Sequence, residues 1–243
     1  MSRPKLIGIS ATKAFAKHQT GVERYAANII KNILAVDSRH QYILYLDPKE
    51  GEIQPKNESR LFSCLSKKKN YTIKKLNCPF SFGWTQLRLS AEMLKKPPDV
   101  LFIPSHLPPL YCPKKTIITI HDLAFKKFPA VYSKKELYLQ NIGLSLAIKK
   151  AWRIIAPSEF TKSEIKKYYP RAREDNIFTV PHGYDQDIFY QTNKLDQPVV
   201  KPGLVSIGRL ENKKNIVNLI KAFNIIKNRG RVKSLKLTLT MQF

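Results

Sequence analysis

The sequence predicts an α/β fold with a mostly parallel sheet, and three observations lead to this prediction. Short apolar segments recur along the chain, most of them are apolar throughout, and amphipathic helical segments lie between them. A strand that is buried on both faces has a continuous apolar sequence, whereas a strand buried on one face alternates apolar and polar residues. Alternating strands and helices therefore favour a sheet with helices on both faces.

The predicted elements follow from these patterns in chain order. Strands are predicted at residues 6–9, 42–46, 100–103, 117–120, 153–156, 177–180, 204–207 and 235–240. The first helix is predicted from Val22, Ala26, Ile29 and Ile33, which recur at helical spacing. Further helices are predicted at residues 134–150, 160–168 and 215–229, and Ser158 is a candidate N-cap of the second of these.

A composition change divides the chain into two predicted domains. Residues 191–202, QTNKLDQPVVKP, contain two prolines and no clear period, which indicates a linker between domains at 1–190 and 203–243. The second domain has two predicted strands and one predicted helix. Since so few residues cannot close a doubly wound sheet, we expect this domain to be incomplete.

The chain is strongly basic, with 43 Lys and Arg against 18 Asp and Glu, a net charge of +25 and a pI of about 10.0. Such a surface attracts nucleic acid, phosphates and anionic lipid headgroups. Lysine doublets are spread along most of the chain, whereas nucleic-acid binders more often concentrate their charge. We expect no specific nucleic acid partner, and a basic nucleic-acid binder remains an alternative that salt-dependent DNA binding would test.

Three features predict a cytoplasmic protein. The three cysteines include no C-x-x-C pair, the N-terminus lacks a signal-peptide core, and no apolar segment approaches the length of a membrane span. The charge adds a second expectation, which is peripheral contact with the anionic inner face of the membrane.

Ligands of open parallel sheets bind beyond the carboxyl ends of the strands, so the residues that follow each strand are candidate site residues. The first strand is followed by SATKAFAKHQTGVE, with one glycine, Gly21. This segment contains neither G-x-G-x-x-G nor G-x-x-x-x-G-K-[ST], which argues against the corresponding NAD and ATP enzymes. Gly21 can also be read simply as a helix-entry residue.

His121 and Asp122 directly follow the predicted strand at 117–120. A histidine in this position could hydrogen-bond a sugar hydroxyl or a phosphate, and its usual pKa is near neutral. The alternative is that His121 only ends the strand and that Asp122 holds the loop.

The segment GLVSIGRLENKKNI places Arg209 and Lys214 between a predicted buried strand at 204–207 and the helix that begins at Asn215. A guanidinium, an ammonium and the free N–H groups of a helix N-terminus together suit a diphosphate. The alternative is a solvated turn with two of the many surface cations.

Five motifs in this order resemble the family-four glycosyltransferases, a large retaining group with two facing Rossmann-like domains, the GT-B fold. TGVERYAANII resembles the first-loop and helix motif, IHDLAFKKFP the H-D segment, and APSEFTKSEI the Ser-Glu helix start. VPHGYDQDIF is similar to the N-G-V-D-x-x-x-F crossing, and GRLENKKNIVNLIKAF to the donor motif. The implied architecture is a Rossmann-like N-terminal acceptor-side domain of a GT-B enzyme, followed by an incomplete second Rossmann-like, donor-binding domain.

The resemblance implies transfer of a hexose from a nucleotide-diphosphate sugar to a glycan or lipid-linked acceptor, with retention, as in mannosyltransferases of polysaccharide biosynthesis. By the same resemblance Arg209 and Lys214 bind the donor diphosphate and His121 contacts the donor sugar as the catalytic residue. Gly21 lets the backbone approach the donor phosphate or the acceptor. No metal and no other cofactor is expected, because cations and a helix terminus take the part of a divalent ion.

The sequence departs from the family pattern in three places. Thr20 stands where many members have glycine, and His182 stands where Asn is common. The family's second domain has a Glu-x7-Glu motif, yet Glu211 is the only acidic residue from 199 to 243. We therefore expect the chain as given to be inactive, and a non-catalytic glycan-binding or scaffold protein is the alternative function.

Overall fold

A computed structural model of the chain describes residues 3–17, 19–50, 70–80, 83–184, 190, 203–208, 214–229 and 235–240. The chain forms two compact units, Met1–His182 and Gly183–Phe243. The predicted linker at 191–202 lies outside the described residues.

The first unit is built on a seven-stranded sheet in which every neighbouring pair is parallel. In chain order the strands are β1 (Leu6–Ser10), β2 (Gln41–Leu46), β3 (Tyr71–Lys75), β4 (Val100–Ile103), β5 (Thr116–Thr119), β6 (Arg153–Ala156) and β7 (Ile177–Thr179). Their order across the sheet is β3-β2-β1-β4-β5-β6-β7. The order reverses direction between β1 and β4, which makes this pair the topological switch point.

Helices connect the strands of this unit. The α-helices are α1 (Gly21–Val36), α2 (Ser90–Lys95), α3 (Ala124–Lys127), α4 (Lys134–Lys150) and α5 (Glu159–Tyr168). A π-helical turn, Trp84–Leu89, leads into α2, and 3₁₀ turns occupy Thr12–Phe15, Pro129–Val131 and Glu174–Asn176. The predicted Rossmann-like α/β fold is confirmed.

Both faces of the sheet are buried, as the continuous apolar strands predict. Adjacent residues of β2, Leu44 and Tyr45, belong to two different core clusters and so point to opposite faces. The cluster with Leu44 includes Ile30 of α1, and the cluster with Tyr45 includes Leu144 of α4 and Ile165 of α5. Helices therefore cover the sheet on both sides.

The second unit has a parallel pair of strands, β8 (Gly203–Ile207) and β9 (Lys236–Thr240), and helix α6 (Ile216–Asn228). The prediction of a buried strand at 204–207 is wrong: Leu204, Val205 and Ile207 are 41%, 65% and 69% exposed. Within the described part of this unit β8 has one neighbouring strand, and α6 has no buried residue. The apolar sequence favours burial, but these elements do not provide enough surface to cover the strand.

Candidate active site

A cleft of about 490 Å³ lies in the first unit at the switch point of the sheet. Its lining includes Ser10 at the end of β1, Ser105 and His106 after β4, and His121 after β5. Further walls come from the start of α1, from the π-helical turn and from α4. The topology explains this arrangement, because the connections from β1 and β4 leave the sheet in opposite directions and open a crevice between them.

The start of α1 brings a carboxylate into the cleft. Thr20 is the N-cap residue of α1 and forms a capping box with Glu23, whose carboxylate accepts a hydrogen bond from Thr20 N at 3.1 Å. Lys13 Nζ donates to the other carboxylate oxygen at 3.0 Å. Burial raises the pKa of Glu23, but the hydrogen bonds from Thr20 and Lys13 outweigh burial and hold the pKa below its usual value. Glu23 is therefore an anionic acceptor at neutral pH.

This geometry gives a physical role to one departure from the family pattern. Threonine is a preferred N-cap residue, because its extended backbone and short side chain suit the helix start. Thr20 adopts that extended conformation, with φ −87° and ψ −170°. Thr20 therefore fixes the start of α1 beside the cleft.

Two hydrogen bonds hold His121 just beyond the carboxyl end of β5. Its Nε2 lies 3.2 Å from Pro104 O, and because a carbonyl oxygen only accepts, Nε2 carries the proton. Its backbone O accepts from Thr161 Oγ1 at 3.3 Å, and Thr161 N donates to the N-cap residue Ser158 at 3.1 Å. The predicted N-cap of α5 is confirmed, and it connects the Ser-Glu helix start to the H-D segment.

Two other rings, those of Tyr25 and His182, form an aromatic cluster with this histidine. The Tyr25 ring of α1 lies edge-on to His121 with centroids 4.8 Å apart, and His182 lies 5.5 Å from His121 and 4.6 Å from Tyr25. Tyr25 Oη is 3.2 Å from Thr119 Oγ1. His182, the second departure from the family pattern, thus packs within the cluster, with its ring tilted by 44° to Tyr25 and by 46° to His121.

Burial sets the protonation state of two histidines in the cleft, His121 and His106. Burial lowers the pKa of His121, and the neighbouring His182 lowers it further, while the bond to Pro104 acts in the opposite direction. Burial likewise lowers the pKa of His106. Both rings are neutral at pH 7, so His121 Nδ1 is a hydrogen-bond acceptor and suits a hydroxyl group better than a phosphate.

Asp122 has a local structural role. Its Oδ1 accepts from Ala124 N at 3.0 Å, and the side chain is exposed. This contact agrees with the alternative interpretation, in which Asp122 holds the loop.

The predicted site residues fall in different parts of the chain. His121 lines the cleft, whereas Gly21 is the exposed first residue of α1, next to the lining residues Val22 and Glu23. Lys214 is exposed in the second unit and directly precedes Asn215, the N-cap residue of α6. Arg209 lies outside the described residues.

Sequence reasoning did not select His106, Lys13 or Tyr25. His106 follows β4 in the segment PSH, so the rule that selected His121 could have found it. Lys13 and Tyr25 are positioned by a 3₁₀ turn and by a helix face, and no sequence signal distinguishes them from other surface or core residues.

Comparison with known protein families decides the assignment. The family model described as Glycosyltransferase Family 4 matches residues 19–188, which contain α1 and the cleft residues His106 and His121. The chain belongs to glycosyltransferase family 4. It is therefore assigned to a class of transferases that act on a sugar donor and an acceptor. No curated protein sequence matches the chain significantly.

The described segments contain neither a metal-binding cluster nor a membrane-spanning helix. No group of three His, Cys, Asp or Glu side chains there is arranged to hold a metal ion. Across the same segments, no helix has the length and apolarity required to cross a bilayer.

Proposed function

We propose that the chain contains the acceptor-side domain and the start of the donor-binding domain of a retaining hexosyltransferase, which uses a nucleotide-diphosphate sugar and a glycan or lipid-linked acceptor. The observation that supports this most strongly is the set of hydroxyl-binding groups in the cleft of a family-four domain. Glu23 is an anionic acceptor, and His106 and His121 are neutral imidazoles. Sugars present many hydroxyl donors, and such acceptors orient them.

In the proposed mechanism His121 contacts the transferred sugar. Its Nε2–H is held by Pro104 O, so Nδ1 is available to accept a sugar hydroxyl. Gly21 lets the donor phosphate or the acceptor approach the backbone at the start of α1. Arg209 and Lys214 bind the diphosphate and stabilise its charge as it leaves, so that no metal is needed. The acceptor hydroxyl attacks the face from which the diphosphate departs, which retains the anomeric configuration.

Release of nucleoside diphosphate from UDP- and GDP-hexoses, in EDTA and with simple glycosides as acceptors, tests this proposal. We expect the chain as given to be inactive. The same chain joined to a complete donor-binding domain should turn over at least one donor, give a product of the donor's anomeric configuration by NMR, and lose about a hundredfold or more of its rate with His121→Ala. His40→Ala is the matched control, since His40 lies at the opposite end of β2 from the cleft. If the completed protein shows neither transfer nor hydrolysis with any common donor, the proposal is wrong.

A non-catalytic glycan-binding protein is the second candidate. It is favoured by the fact that the whole cleft belongs to the first unit. Acceptor binding can then occur without donor turnover. Saturation-transfer NMR with oligosaccharides distinguishes the two candidates, because binding that depends on His121 without any turnover identifies the second.

A further inference from the structure

Helix α4 has a second apolar face that points away from the core. Tyr138, Leu139, Ile142 and Leu146 are 66%, 57%, 42% and 41% exposed. Leu139, Ile142 and Leu146 are spaced by three, four and seven residues and Tyr138 lies four residues before Ile142, which places the four side chains on one side of the helix. The opposite side is buried through Leu144. The outer face is therefore an apolar strip rather than scattered exposed residues.

The loop after β4 extends this strip. Gly143 lies so close to the loop that a Cβ added there would be 2.8 Å from Leu107 Cδ2. Lys150 Nζ donates to Leu110 O. Leu107 and Leu110 are themselves 42% and 55% exposed. We call the surface formed by Leu107, Leu110, Leu139, Ile142 and Leu146 the apolar platform.

Lysines border the platform at both ends of the helix. Lys134 and Lys135 lie in the first turn of α4, and Lys149 and Lys150 lie in the last. The one acidic residue of the helix, Glu136, is bonded to Ser133 in the capping box. The apolar platform therefore lies between two pairs of positive charges.

We propose that the apolar platform docks onto an anionic lipid bilayer. Leucine and isoleucine side chains would enter the interface while the lysines contact the headgroups, as in interfacial amphipathic helices. A second copy of the chain fits this surface less well. Whether two α4 helices pair in parallel or antiparallel, their end lysines meet lysines, and like charges repel.

The apolar platform borders the cleft. The position of the platform indicates the class of acceptor, an inference that rests on the proposed function. Leu107 belongs to both surfaces, and Gln140 and Leu144 of α4 line the cleft. An acceptor anchored in the bilayer by a lipid could reach the cleft with its hydroxyl-bearing head. Of the two acceptor classes, the structure thus favours the lipid-linked one.

Vesicle flotation with the full chain tests the docking surface without any enzymatic readout. The probes are phosphatidylcholine vesicles with and without phosphatidylglycerol, at low and high salt. We expect binding that requires phosphatidylglycerol and weakens with salt, because exposed charges are screened.

Paired variants locate the contact. Ile142→Asp combined with Leu146→Asp should abolish flotation, while Val36→Asp, at an exposed valine at the end of α1, should not change it. Replacing Lys134, Lys135 and Lys149 with Gln should weaken binding by about fivefold for each lysine. Circular dichroism checks that each variant folds, as expected for exposed positions.

Equal flotation of the platform variants and the wild type would overturn the proposal. So would sedimentation showing a dimer that the Ile142→Asp and Leu146→Asp changes dissolve, since the occupant would then be a second copy. Flotation and turnover are independent measurements, so vesicle binding by a chain whose completed form transfers no sugar refutes only the proposed function.

Discussion

Tyr25 lies edge-on to His121, with ring centroids 4.8 Å apart and an interplanar angle of 83°. The relationship joins two motifs that are separated by nearly a hundred residues, one at the start of α1 and the other after β5. Tyr25 is fixed from its other end by the contact of its hydroxyl with Thr119 Oγ1, at 3.2 Å. The tyrosine therefore shields one edge of the imidazole from water and restricts its orientation.

Removing this ring should raise the pKa of His121. Burial is the main cause of the lowered pKa of His121, and Tyr25→Ala would admit water beside the imidazole. We expect NMR titration to show His121 titrating closer to its ordinary value of about 6.5 in this variant.

Tyr25→Phe is the matched control for this experiment. It retains the ring and removes only the contact with Thr119. The pKa of His121 should then stay close to that of the wild type. If Tyr25→Ala leaves the titration unchanged, another neighbour buries the imidazole.

The sheet could be predicted because its strands are buried on both faces. Continuous apolar sequence predicted β1 and β4, and both lie within one residue of the predicted bounds. The strand β3, YTIKK, was not predicted, since it is an edge strand with only partial burial and two lysines. The π-helical turn and α2 were also missed, because their short, mixed sequence has no clear helical period.

The site could be predicted only where a residue follows the end of a strand within one or two positions. His121 meets that condition and lines the cleft. Glu23 and Lys13 meet through a capping box and a 3₁₀ turn, and those contacts depend on tertiary geometry that local sequence does not specify. Motifs thus indicate the location of the cleft, and the fold determines its charges.

Gly8 and Gly21 should respond in opposite ways to alanine. A Cβ at Gly8 would lie 2.7 Å from Tyr45 Cε2 and 2.9 Å from Pro98 Cγ, in a fully packed part of the sheet. Gly8→Ala should therefore lower the free energy of unfolding by about 1–3 kcal/mol.

Gly21→Ala is the matched comparison. Apart from chain neighbours and the helix's own backbone, no atom of the described residues lies within 4 Å of the added Cβ, and alanine favours a helix, so stability should rise by at most about 1 kcal/mol. Urea unfolding measures both changes. A large loss of stability in Gly21→Ala would show that this position is structurally constrained, and a loss of donor binding alone would support its proposed role.

Acid should remove a stabilising contribution from Asp37. Its carboxylate accepts hydrogen bonds from the Tyr42 hydroxyl, from Arg39 N at 2.8 Å and from His40 Nδ1 at 2.8 Å. The Tyr42 bond is the main cause that holds the pKa of Asp37 at about 2. Since this pKa lies below the unfolded value, the contribution is complete above about pH 4 and is lost as the pH falls through 2.

Urea unfolding of the wild type and Asp37→Asn across this range measures the effect. The wild type should be more stable by about 1–2 kcal/mol near neutral pH, after allowance for solvent screening, and the difference should shrink below about pH 4. Tyr42→Phe should give a smaller change with pH, because the pKa of Asp37 then moves toward its usual value. A stability difference that does not vary with pH would assign the effect of Asp37→Asn to causes other than titration.

Lys214 and Arg209 should both be required for donor turnover. Lys214 is exposed immediately before α6, and the first N–H groups of an α-helix have no partner within the helix. In a preparation that turns over donor, Lys214→Ala or Arg209→Ala should each lower the rate by about a hundredfold, because each removes a charge that stabilises the leaving diphosphate. Lys227→Ala, near the other end of the same helix, is the control and should keep the wild-type rate. Unchanged turnover in both site variants would remove these cations from the donor site and would leave the solvated turn as the better description of this segment.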